Sequence, residues 1–99
     1  MNELWLKPAH LQQLREILQR HFPGQEVWAY GSRVNGGAHE GSDLDLVVRG
    51  VVTREAYAAC VAALQESTLP MLVDLHLWDG LPEDFRDNIA RRYVVVQKG

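Results

Sequence analysis

The chain has 99 residues, 46% of them hydrophobic and 23% charged, with a net charge of −3, which suits one small domain with a modest core. The acidic balance excludes a broad nucleic-acid-binding surface, which needs clustered Lys and Arg to displace counterions. A single cysteine, Cys60, excludes an internal disulfide framework and fits a reducing cytosol. No stretch approaches the roughly 18 apolar residues of a membrane span.

Residues 8–22 have the pattern of a helix. Pro8 suits a first helical position, Leu11, Leu14, Leu18 and Phe22 recur at three and four, and Pro23-Gly24 stops the run. EVWAY at 26–30 has strand composition. A glycine-rich segment, Gly31 to Gly41, follows, and DLDLVVR at 43–49 is a second strand. Thr53 can cap a helix running to about Glu66, with Tyr57, Cys60, Val61 and Leu64 on one face. MLVDLHLW at 71–78 makes a third strand, Asp79-Gly80 a turn, and Pro82 opens a helix with Phe85 and Ile89 as its apolar stripe. YVVV at 93–96 is a candidate closing strand. The order predicts a single α/β domain over residues 1–99, in the two-layer α+β arrangement.

The acidic strand carries the chemical information. Side chains alternate along a strand, so Asp43 and Asp45 share one side while Leu44, Leu46 and Val48 share the other. Two carboxylates held about 4–6 Å apart repel by a few kcal/mol at an effective dielectric of roughly 20. A divalent ion with a taste for oxygen, such as Mg²⁺, offsets that cost. A solvated strand end also accommodates two acids, and D-x-D alone does not choose between the two. Asp74 interrupts the third strand's apolar run in the same way. If the two strands are neighbours, Asp74 can join the pair on one sheet face, as metal-assisted phosphoryl transfer requires. His76 shares the side of Asp74 and reads by default as a packing or hydrogen-bonding neighbour.

The Gly31-Ser32 turn can place free N–H groups and a hydroxyl against phosphate. It is not a P-loop, because Gly37-Ala38 stand where Lys and Ser/Thr are needed. The EF-hand pattern fails at Val47 and Val48, and the histidines at 10, 21, 39 and 76 have no zinc spacing.

Gly31-Ser32, ten residues, then Asp43-Leu44-Asp45, with Asp74 one strand later, resembles the signature of the DNA polymerase β-like nucleotidyltransferase superfamily. The short length is similar to the minimal nucleotidyltransferases, often antitoxin partners of HEPN-domain proteins. The resemblance covers nearly the whole chain. It implies a mixed sheet of three or four strands with helices packed on one face. It implies that Gly31 and Ser32 hold the β- and γ-phosphates of ATP, with Arg33 placed to reach a phosphate. It implies that Asp43, Asp45 and Asp74 bind two Mg²⁺ ions, and that Asp74 helps position or deprotonate the attacking hydroxyl. The acceptor it implies is a tyrosine of a partner HEPN toxin, silenced by AMPylation. Larger relatives add a helical domain for base and acceptor, which this chain lacks. Two other readings stay open: an antitoxin that works by docking, and a transferase for a small molecule. Polymerisation of nucleic acid conflicts with the charge.

Overall fold

The computed structural model describes residues 3–99; Met1 and Asn2, within the 1–99 domain expected above, lie outside the described residues. In chain order the elements are α1 (Pro8–His21), β1 (Val27–Tyr30), the single turn α2 (Ser32–Asn35), β2 (Leu44–Val48), α3 (Arg54–Glu66), β3 (Val73–Leu77), a short 3₁₀ turn (Trp78–Gly80), α4 (Glu83–Arg91) and β4 (Val94–Gln97). The strands form one sheet in the order β3-β2-β1-β4. β1 is antiparallel to β2 and β4, whereas β2 and β3 are parallel because α3 carries the chain back between them.

Local chemistry explains the boundaries. Pro8 begins α1 where its missing N–H costs nothing, and the Phe22 N–H closes the helix on the Leu18 carbonyl. The Thr53 hydroxyl accepts from the Ala56 N–H at 3.0 Å, the expected cap of α3. α1 and α3 cover one sheet face. There Leu14, Leu18, Phe22, Cys60 and Leu64 pack on Val27, Ala29, Leu44, Leu46, Val48, Leu75 and Val96. The Gln97 amide, buried at the end of β4, donates to the Phe22 and Gln25 carbonyls, both at 2.8 Å, and ties the last strand to the α1–β1 connection.

Expecting helices on one face holds for α1 and α3 but not for α4. Trp28, Tyr30 and Val47 point to the reverse face and are apolar, so that side needs a cover as well. Ile89 of α4 is 3% exposed among them, with Trp78, Leu81, Tyr93 and Val95 around it. The sheet's reverse face is thus apolar at β1, β4 and Val47 of β2, and acidic where Asp45 of β2 and Asp74 of β3 lie. Among the described residues no helix is long and apolar enough to cross a membrane.

Candidate active site

The site begins with strand register. Leu44 donates its N–H to the Leu72 carbonyl at 2.8 Å, and from there the parallel pairing sets Asp45 directly across from Asp74. On the other side Tyr30 pairs with Asp45. Tyr30, Asp45 and Asp74 therefore form a row across three strands on the reverse face, with neighbouring strands about 4.8 Å apart. Asp43 lies one residue before β2, exposed, on the same side by alternation.

Burial raises the Asp45 carboxyl above its ordinary value, and the Asp74 and then the Asp43 carboxylates push it further up; His76 opposes them. Tyr30 is also raised, first by burial and then by Asp45 and Asp74. Three carboxylates therefore share one electrostatic field. Among the described residues, however, no three His, Cys, Asp or Glu side chains already close into a metal-holding group. Asp45 and Asp74 are the near pair, and Asp43 stands at the edge. These are hard oxygen donors that repel one another, which is the donor chemistry of Mg²⁺.

Gly31 touches this row directly. Its backbone, at φ 82° and ψ −156°, lies in a region open essentially to glycine alone. A Cβ there would come within 2.3 Å of Asp45 Oδ2. The glycine thus leaves room for the backbone to approach the carboxylate, and exposed Ser32 follows at the start of α2.

Arg33 does something other than reach for phosphate. It is 3% exposed. Its guanidinium donates to the Ser42 and Trp5 carbonyls at 3.0 Å each and to the Glu40 carbonyl at 3.1 Å, and it lies over the Trp5 ring. The side chain is turned into the fold, where it fastens the 36–42 loop to the amino-terminal segment. His76, beside Asp74 on β3, is exposed on the acid face and pairs in register with Val47.

The sequence reading passed over Tyr30. The alternation in EVWAY places Trp28 and Tyr30 together, but only the register with Asp45 shows that this side carries the acids. Phe85 of α4 meets the Tyr30 ring edge-on at 5.9 Å and so borders the same site.

Residues 11–96 match the family model described as nucleotidyltransferase domain. The Probable protein adenylyltransferase MntA of Haemophilus influenzae is 41% identical over 98 residues, spanning 97% of this chain and 86% of that relative. A solved toxin-antitoxin with AMP-PNP has a TM-score of 0.73 at 18% identity, over 90% of this chain and 73% of that one. The tri-AMPylated Shewanella oneidensis HEPN toxin in complex with MNT antitoxin gives 0.66 at 13% identity, over 95% and 74%. At such identities the solved structures establish the fold. The family match and the 41% relative, each running over most of the chain, lead to one conclusion: this protein belongs to the nucleotidyltransferase domain family and is a nucleotidyltransferase.

Proposed function

We propose that this single minimal domain transfers AMP from ATP to a hydroxyl of a partner protein, a tyrosine of a HEPN-domain toxin, and so acts in the cytosol as the antitoxin. The observation that carries the reading is the Asp45–Asp74 pair, with Asp45 set directly against Gly31. The similarity to a probable protein adenylyltransferase, and to folds seen in toxin–antitoxin structures, supports the choice of nucleotide and acceptor.

In this reading the Gly31-Ser32 turn faces the β- and γ-phosphates. Asp43, Asp45 and Asp74 hold two Mg²⁺ ions, which supply neutralisation of the charge developing on the phosphoryl oxygens. Asp74, exposed on the edge strand, orients the acceptor hydroxyl and takes its proton. The acceptor oxygen bonds to the α-phosphorus as the bond to the β-phosphate oxygen breaks, and pyrophosphate leaves. Holding both oxygens in line is the larger part of the catalytic task. Arg33 contributes by fixing the loop between Gly31 and Asp43.

The test is incubation with labelled ATP, Mg²⁺ and a HEPN-domain protein, if the neighbouring gene encodes one. Label should appear on a tyrosine and vanish with Asp43→Asn/Asp45→Asn. No transfer, or equal transfer by that variant, would overturn the reading. A variant that still silences the toxin without transfer would establish docking instead.

A further inference from the structure

Below the acid row on the same sheet face lies a second polar feature. Arg49 follows β2 and extends its ladder, its N–H donating to the Glu26 carbonyl at 2.9 Å. By alternation its side chain shares the side of Asp45 and Val47. The guanidinium carbon sits 4.5 Å from the Trp28 ring centre and 4.0 Å from that of Trp78. The two indoles meet edge-on at 5.6 Å. Trp28 is stacked on Tyr93 at 3.7 Å, and Arg86 lies 5.7 Å from Trp78. Arg86 donates from Nε and Nη2 to the Trp78 and Asp79 carbonyls, which holds the turn that carries Trp78. Arg49 is half-buried, and its guanidinium makes no hydrogen bond among the described residues.

We propose that Arg49, gripped by Trp28 and Trp78, is a docking site for a carboxylate of the acceptor protein. The inference rests on the reading that the acceptor is a protein. The aromatic rings are taken up by Tyr93, Arg49 and Arg86, so the patch does not offer a free ring to a nucleobase. What it offers is a half-buried guanidinium with no hydrogen-bond partner among the described residues, and a guanidinium's planar fork matches a carboxylate. Stacking on indole holds that fork still at little entropic cost to the ligand. The ATP phosphates are assigned to the other end of the row, beside Gly31. The charge layout also orients the acceptor. An acidic residue is repelled by Asp43, Asp45 and Asp74 and attracted at Arg49, so the segment lies one way along the face.

The spacing makes the idea quantitative. Four residues of strand separate Asp45 from Arg49, about 13 Å at ~3.3 Å per residue. Val47 between them is covered by α4, so an extended acceptor passes over exposed His76 of the edge strand, its tyrosine at the acid pair and a residue four positions away at Arg49. A residue three positions away faces outward.

The probes are short synthetic peptides with one tyrosine and a Glu four residues away, a Gln at that position, or a Glu three residues away. Binding is read by tryptophan fluorescence of the full chain without ATP, and AMP transfer by the KM for peptide. The four-spaced Glu peptide should bind the parent about five- to tenfold more tightly than the other two, with most of the gain lost at high salt. Arg49→Gln should erase the preference. Arg49→Lys, which keeps the charge without the fork, should retain part of it. Equal binding of the Glu and Gln peptides, a preference that survives Arg49→Gln, or one undiminished in Arg49→Lys would overturn the clamp. Fluorescence binding needs no transfer. A Glu preference without AMP transfer therefore counts against the proposed reaction, whereas transfer without preference counts against Arg49.

Discussion

Asp45→Asn should make the protein more stable while removing its activity. Asp45 faces Asp74 across one strand spacing. Two unit charges about 5 Å apart repel by about 1 kcal/mol in bulk water and about 3 kcal/mol at an effective dielectric of 20. Asp45 is half-buried and Asp74 exposed, so screening puts the value near the lower end, about 1 kcal/mol. A domain of this size then gains roughly 4–8 °C in Tm. The sign follows from linkage. Asp45 has a carboxyl raised above its ordinary value, so between the unfolded and folded pKa values the native state holds more proton than the unfolded one. Stability therefore falls as pH rises through that window, and it stays lower at neutral pH. Asp45→Asn should flatten this slope. Transfer should drop by about a hundredfold or more, the scale for losing one electrostatic stabiliser of a transition state. Calorimetry at low salt from pH 4 to 8, on the parent, each Asn variant and the double variant with Asp74→Asn, provides the measurement. The second substitution should add little once the first has removed the repulsion. Mg²⁺ should raise the Tm of the parent more than that of Asp45→Asn. If Asp45→Asn melts below the parent at pH 7, the row is held by attraction and the reasoning fails.

Gly31→Ala should cost at least about 2 kcal/mol in urea unfolding, from its positive φ and the approach to Asp45 Oδ2; pairing it with Asp45→Ala should recover only the contact part. Arg33→Met should cost about 2 kcal/mol and open the 36–42 loop to proteolysis, because part-buried carbonyls lose a charged donor. Arg33→Lys should restore little of this, and a normal Tm with only a raised KM for ATP would instead return Arg33 to the phosphates. The Cys60 thiol, fully buried and pushed up to about 11, should react with a thiol reagent at pH 7.5 only at the rate of unfolding; a fast native-state reaction would contradict its burial.

Much of this protein is determined locally and could be read along the chain. Helix periodicity, the Thr53 cap and the strand alternation depend on residues within a few positions of one another. So does the shared side of Asp43 and Asp45, and the Gly31-Ser32 to D-x-D spacing carried the family resemblance. Tertiary structure decided what depends on pairing across distance. The parallel register after α3 put Asp74 opposite Asp45, where one step of slip would have turned it to the apolar face. It also brought Tyr30 into the row and left Asp43 at its margin. The family resemblance placed Arg33 to reach a phosphate, but its carbonyl partners lie up to 28 residues away in sequence, so nothing local announced its burial. α4 went to the reverse face for the same reason: an amphipathic stripe says that a helix needs a cover, and only the packed sheet shows which of its two faces still has apolar surface to give.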